Sequence, residues 1–558
     1  MKNNVLKIII LLILCIVILI GCGIVIKKIL PGYENTEITD MVNLVINNSN
    51  VTDYLKERNR EVYILENGTI YLSIYDIENF FDKYIYIEEQ YNQVISTYNS
   101  NILIAKINDN TVKINGKEYK INAKTIEKNG IIYLPFSEIQ QAYDAKVKYI
   151  DSTNTVIIDT LDRDKTIATI NNSTNLKSRS RNLSRTVEKL QENEEIVIIS
   201  KNDNWSKVRS EKGKIGYVKN KYMSNAKEVK SSVSKEKQIN EKINMVWDYF
   251  YSQDSIPNRE NEEIQGINVI SPSFFTLSKY DKGNINIHIG EKGEEYIEWA
   301  HNNNYKVWAM LSNDSSKEIT SEIMRDYKLR EKLINNIIEK VEYYNLDGIN
   351  IDFENMYKED KKLFSQFIIE LTPRIHALGK TISVDVTAPD GDDNWSMCYD
   401  RNVIGDVADY IVFMAYDQYG ESSTEAGTTS GYGWVRVNLK KFIETEEILS
   451  EKIILGLPFY TRVWVMDGEK LINTKTIAMK HIDSNIPQNA KIVWDDLTRQ
   501  NVVEYKENGY TKKIWIEDIK SYKEKLNLVN QYELGGVANW CKDMENSNIW
   551  KVIEEELK

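Results

Sequence analysis

The feature that most constrains this chain is a rhythm in its second half. From residue 243 to the C-terminus, short apolar runs alternate with stretches of helical periodicity. The runs are INMVW (243–247), INVISPSFF (267–275), KVWAML (306–311), LDGINIDF (346–353), TISVDV (381–386), YIVFMAY (410–416), KIILGLPF (452–459) and GGVANW (535–540). Leu333, Ile334, Ile337, Ile338 and Val341 keep helical spacing after the third run, as do Leu363, Phe364, Phe367, Ile368 and Leu371 after the fourth. Strands buried on both faces and separated by helices pair in parallel, and eight such units close into a ring. A (β/α)8 TIM barrel is therefore expected over 243–558. The long interval before the last run predicts a small insertion near 470–515.

The fourth run carries carboxylates. Along a strand alternate residues share a face, so Asn350, Asp352 and Glu354 lie on one side and Ile349, Ile351 and Phe353 on the other. The outer face of a barrel meets helices and needs the apolar set, which turns the polar set inward. Glu354 ends the strand, at the rim where such barrels place chemistry. Two inward carboxylates two residues apart are costly to ionise together, so one should hold a proton near neutral pH. An acid kept protonated beside an anionic one is a general acid with an electrostatic helper. The structural alternative is that salt bridges neutralise both.

Composition removes other classes. A net charge of −12 argues against a nucleic-acid partner, since phosphate affinity needs clustered Lys and Arg. The four histidines (His288, His301, His376, His481) have no metal-ligand spacing, and HExxH and GxSxG motifs are absent from the sequence. No metal and no cofactor are expected. Of the four cysteines, Cys15 and Cys22 lie in an apolar leader; a Cys398–Cys541 bridge and two buried free thiols are both compatible with the other pair.

At 558 residues the chain is too long for one ordinary core. The leader is apolar from Ile8 to Ile26 between lysines, 19 residues that at about 1.5 Å each just span a bilayer. It predicts a membrane anchor or signal segment over 1–30. The expected placement is single-pass in a bacterial cell membrane with extracellular domains. Leu19-Ile20-Gly21-Cys22 gives a lipoprotein alternative through Cys22. Residues 31–60 read as a polar stalk. Residues 66–95 and 128–157 then align without gaps at an offset of 62, matching Asn67/Asn129, Gly68/Gly130, Tyr71/Tyr133, Asp82/Asp144 and Val94/Val156. Each copy reads as strand, short helix and hairpin, making 61–160 a duplicated α+β module. Short strands with polar turns over 163–223 predict a small β-barrel, with Trp205 and Val208 inward and Gly213 and Gly216 at turns. Residues 224–242 read as a charged linker.

Resemblances sharpen this outline. The duplicated module resembles the copper amine oxidase N-terminal module, although no histidine precedes His288 to hold copper. NWSKVRSEKGKIGYV (204–218) resembles a bacterial Src-homology-3-like domain. Residues 347–354 resemble the DGxDxDxE signature of glycoside hydrolase family 18 on the expected fourth strand, and MAYD (414–417) and GLPFYTR (456–462) resemble two more of its elements. Trp540 falls where that family places an indole beneath the sugar.

By that resemblance, the substrate's acetamido oxygen attacks the anomeric carbon. Glu354 serves as acid and then base, Asp352 receives the acetamido N–H, and Tyr416 donates to the acetamido oxygen. Asp417 binds a sugar hydroxyl, Trp540 forms the floor, and Asp347, Asn350 and Arg462 complete the substrate-binding set. Asn350 departs from the family's usual Asp, which bears on how protons are shared. Trp308, Trp395, Trp434, Trp464 and Trp515 are each open to a platform or a packing role. The resemblance implies a monomeric hydrolase of β-1,4-linked N-acetylglucosamine glycans, with peptidoglycan the expected partner. A chitooligosaccharide hydrolase and a non-catalytic glycan-binding barrel are the alternatives.

Overall fold

The computed structural model describes residues 41–64, 67–233 and 241–558. The chain divides into two units, Met1–Glu236 and Lys237–Lys558.

In the second unit each of the eight runs falls on a barrel strand: Ile243–Asp248, Val269–Pro272, Lys306–Ser312, Gly348–Asp352, Thr381–Val386, Tyr410–Met414, Ile453–Pro458 and Gly536–Trp540. Neighbouring barrel strands pair in parallel, the eighth lies between the first and the seventh, and pairing of Val269 with Lys306 and Ile270 with Val307 closes the ring. Alternation works as the sequence requires. Ile349, Ile351 and Phe353 are buried against Leu333, Ile337, Phe364, Phe367 and Leu371 of the helices Tyr327–Tyr343 and Lys361–Ala377. Phe353 stacks on Phe367 at 5.8 Å. Inside the barrel, Met245, Trp247, Trp308, Met310, Val412 and Ile454 form a separate cluster that fills the lumen.

The insertion is larger than expected. Strands Tyr460–Asp467, Lys470–Ala478, Ile492–Asp495, Gln500–Glu507 and Tyr510–Ile516 form a five-stranded antiparallel sheet. It begins two residues after the seventh barrel strand.

The first unit contains the repeat. Strand Ile70–Ser73, helix Ile74–Phe80 and the hairpin Tyr86–Glu88/Gln93–Tyr98 correspond to Ile131–Leu134, Phe136–Ile139 and Ala145–Ile150/Thr155–Thr160. The leading strands of the two copies pair with each other, Leu72 opposite Leu134. Both hairpins turn through a 3-10 segment ending in a left-handed asparagine, Asn92 at φ 48° and Asn154 at φ 45°. Asparagine tolerates that region far better than other non-glycine residues.

Several boundaries change. Residues 41–60 are not stalk: Asn43–Ile46 pairs in parallel with Thr155–Ile158, Thr52–Glu57 is helical, and Leu44 and Leu55 are buried in the module core. Short apolar stretches within polar sequence were enough to seat them. Between Lys165 and Val229 lies a seven-stranded antiparallel sheet, extended past 223 by Lys227–Val229, which pairs with Lys165–Ile167. Val208 is buried there, but Trp205 is only half-buried. Gly213 turns at φ +79°, whereas Gly216 sits within strand Ile215–Lys219, where a Cβ would come within 2.7 Å of the Lys177 carbonyl.

The membrane placement is also corrected. Among the described residues no helix is long and apolar enough to cross a membrane, and the leader with its Cys22 motif lies outside them.

Candidate active site

The deepest polar residue of the fourth strand is Asn350, which is fully buried. Its Oδ1 accepts from Trp247 Nε1 at 3.0 Å and Ser271 Oγ at 3.3 Å; its Nδ2 donates to Ser383 Oγ at 2.9 Å and Asp385 Oδ1 at 2.7 Å. These contacts tie the first, second and fifth strands to the fourth and fix which way the amide faces. Two residues higher, Asp352 is buried with no hydrogen-bond partner at Oδ1. Burial, and then the charge of Asp385, push its carboxyl well above the ordinary range. Asp385 is itself buried and also raised, by burial first, with the Asn350 hydrogen bond opposing and Glu354 adding to the rise.

Glu354 stands at the mouth and keeps partial exposure. Asn313 clamps its backbone, accepting from the Glu354 N–H at 3.0 Å and donating to its carbonyl at 2.8 Å. Burial, Asp352 and Asp417 raise its carboxyl to about 8, so the group is mostly protonated at neutral pH.

Aromatic rings surround the mouth. Tyr416 lies 6.4 Å from Trp540, 6.5 Å from Trp247 and 6.3 Å from Tyr460, and Trp540 packs on Trp247 at 5.6 Å and Tyr249 at 5.9 Å. Burial and then Tyr460 and the acids Asp385, Asp352 and Glu354 keep the Tyr416 phenol protonated, as a donor. Asp417 is held at φ +54° and accepts from Tyr460 Oη at 2.6 Å and Arg462 Nη2 at 2.7 Å. Arg462 is buried and also donates to Thr476 Oγ1 at 2.6 Å, so its position is set by the protein.

The structure thus gathers Asn350, Asp352, Glu354, Tyr416, Asp417, Arg462 and Trp540 at one end of the barrel. Asp347 does not join them. It precedes the fourth strand, five residues or about 16 Å of extended chain from Asp352. Its Oδ2 accepts from the Val307 N–H at 2.9 Å and lies 2.9 Å from His301 Nε2, which makes it a tie at the opposite end. Its expected place in the substrate-binding set is corrected accordingly.

Of the other tryptophans, Trp308 stacks on Tyr410 at 5.5 Å inside the barrel and Trp464 is buried with Nε1 on the Gly427 carbonyl. Trp434 donates to Asp390 at 2.6 Å, and Lys513 lies 4.8 Å from the Trp515 ring. Trp395 alone of the five is well exposed, at 42%. Cys398 and Cys541 are buried free thiols, which settles the choice against a bridge. Asp385, Trp247, Asn313 and Tyr460 were not anticipated as parts of the site.

A closed parallel barrel whose strand ends bring a raised glutamic acid and a buried aspartate together under an aromatic wall defines a glycoside hydrolase. Residues 245–545, more than half of the chain, match the Glycosyl hydrolases family 18 profile, and the chain belongs to that family. Residues 46–158 match the Copper amine oxidase N-terminal domain.

The chain is 27% identical over 303 residues to the Uncharacterized glycosylase YvbX of Bacillus subtilis (strain 168), spanning 52% of this chain and 85% of that one. It is 26% identical over 253 residues to the Cortical fragment-lytic enzyme of Bacillus anthracis, spanning 43% of this chain and 57% of that enzyme. The crystal structure of a chitinase from Chromobacterium violaceum shares the fold with a TM-score of 0.50 at 22% identity, over 57% of this chain and 99% of that one.

Proposed function

We propose that the chain cleaves β-1,4-linked N-acetylglucosamine glycans of the bacterial cell wall, with retention, using the substrate's acetamido group as nucleophile. Glu354 protonates the leaving glycosidic oxygen. The acetamido oxygen closes on the anomeric carbon, and Asp352 takes the acetamido N–H on its unpartnered Oδ1 while stabilising the oxazolinium cation. Tyr416 donates its phenol to the acetamido oxygen and orients it. Glu354, now anionic, removes a proton from the water that opens the ring, which returns the starting protonation. Trp540 faces the sugar ring as its apolar floor. Asp417, held by Tyr460 and Arg462, offers its second oxygen to a sugar hydroxyl.

The observation that carries this reading is the placement of Glu354 at the mouth, two residues above a buried Asp352 whose Oδ1 has no hydrogen-bond partner; burial and the neighbouring acids raise the Glu354 carboxyl to about 8. The wall is preferred over chitin because the Bacillus anthracis relative is a cortical fragment-lytic enzyme. Digestion of purified peptidoglycan and of N-acetylglucosamine oligomers, followed by mass spectrometry of the fragments, tests it. Release of fragments with N-acetylglucosamine at the new reducing end is expected from peptidoglycan. Cleavage of the oligomers alone would make the enzyme a chitooligosaccharide hydrolase, and binding without cleavage of either would make it a glycan-binding barrel.

A further inference from the structure

The register of the barrel places a third carboxylate beside the two that the sequence pattern singles out. The fourth and fifth strands pair in parallel with Asn350 opposite Ser383 and Ile351 opposite Val384, so the next pair in line is Asp352 and Asp385. Adjacent strands run about 4.8 Å apart, and residues abreast in a parallel pair point to the same face. Both side chains are buried, at 7% and 1% exposure. Two carboxylates abreast in so dry a place cannot both carry charge, and one proton between them removes most of the repulsion.

Asn350 makes the arrangement directional. It spends one amide hydrogen on Ser383 and the other on Asp385, and its oxygen is taken by Trp247 and Ser271. The deepest position of the fourth strand is therefore a neutral donor, and the acid that it serves sits on the next strand. Asp352 Oδ1 has no partner among the described residues. The titratable groups acting on the pair are Glu354 from the end of the fourth strand and Tyr416 from the end of the sixth, with the phenols of Tyr249 and Tyr399 also interacting with Asp352; Trp247 of the first strand contributes a neutral donor.

We infer that Asp385 is a positioning residue for Asp352: the two share one proton across adjacent strands, which spreads a single negative charge away from Glu354. When the acetamido N–H arrives, the shared proton rests on Asp385 and Asp352 presents an anionic oxygen. When the site is empty the proton returns. No proton is exchanged with solvent, and Glu354 never faces two full charges. The assignment rests on the roles proposed above for Glu354 and Asp352.

Asp385→Asn keeps an amide-sized group in place but cannot share an acidic proton. The whole charge then sits on Asp352, the acid that acts most directly on Glu354. Glu354 should hold its proton more tightly, and the alkaline limb of kcat/KM should move up in pH. Exchanging the pair (Asn350→Asp with Asp385→Asn) puts an acid back beside Asp352 and should bring the limb down again. A role limited to packing would not move the limb in either variant.

The test is the pH profile of kcat and KM for release of reducing ends from solubilised peptidoglycan by the full-length wild type and the two variants, with thermal unfolding of each. The expected result for Asp385→Asn is a roughly tenfold fall in kcat, KM within about threefold, and a limb displaced upward by about half a pH unit or more, with displacement largely reversed in the exchanged pair. An alkaline limb unmoved in Asp385→Asn would overturn the assignment. If Asp385→Asn does not fold, Asp385→Ser, which removes the same acid, is read in its place: an upward displacement of the limb supports the assignment, and an unmoved limb contradicts it. Glu354→Gln is assayed alongside. Full activity there would sink the reading of Glu354, whereas an inactive Glu354→Gln with an unmoved limb in Asp385→Asn would remove Asp385 only.

Discussion

Arg462 donates from Nη2 to Asp417 Oδ1 at 2.7 Å, a buried guanidinium holding a carboxylate whose side chain is 46% exposed. Tyr460 donates to the same oxygen, so two donors converge on Oδ1 and fix the orientation of the carboxylate. Arg462→Met should therefore loosen Asp417 and leave its charge less compensated near Glu354. Because Asp417 is half in solvent, the stability cost should be modest, about 1–2 kcal/mol. Urea unfolding should show that loss together with a fall in kcat/KM. Arg462→Lys should recover little, since an ammonium cannot serve Asp417 and Thr476 with one planar fork.

The raised Glu354 ties activity to pH. Cleavage should fall as pH rises through about 8, where the acid loses the proton that it must give to the leaving oxygen.

The same shift acts on stability. Its folded value lies above the ordinary 4.5, so its contribution is fully present below 4.5 and is lost as pH rises to about 8. Glu354→Gln has no such loss. Relative to wild type the variant should gain on the order of 2 kcal/mol between pH 4.5 and 9, less than the full shift implies because the site is partly open. Unfolding of both proteins at the two pH values checks this, and a difference that stays constant would count against it.

Arg330 and Glu370 form a fully buried ion pair at 3.0 Å between two barrel helices, with Arg330 also donating to the Met324 carbonyl and Gln366 to Glu370. Arg330→Met should cost about 3–5 kcal/mol by leaving Glu370 charged and buried without its cation. The double variant Arg330→Met/Glu370→Leu should lose clearly less, and denaturant unfolding of the two distinguishes them.

Much of this was legible in the sequence because barrel strands carry two signals at once. Apolar residues on the outer face gave the eight strands, and the position of Glu354 at the end of the fourth gave the mouth. The misplacement of Asp347 had a readable cause. It shares odd parity with Ile349, Ile351 and Phe353, the outer face, while the site residues Asn350, Asp352 and Glu354 are even. The same parity would have found Asp385: Ile382, Val384 and Val386 face the helices, which turns Ser383 and Asp385 into the barrel. What parity cannot supply is lateral register. That Asp385 stands abreast of Asp352, and that Asn313 reaches across to clamp Glu354, follows only from how strands align side by side. The insertion was undersized because Tyr460–Asp467 continues the chain from the seventh strand with no turn signal between them.

The measurement that bears most directly on the central claim is the release of reducing ends from purified peptidoglycan by wild type and Glu354→Gln at pH 6. The substitution removes the transferable proton while keeping size and polarity. A fall of on the order of 10²–10⁴-fold with the unfolding midpoint undiminished is the expected result. Release at the wild-type rate by a folded Glu354→Gln protein would contradict it.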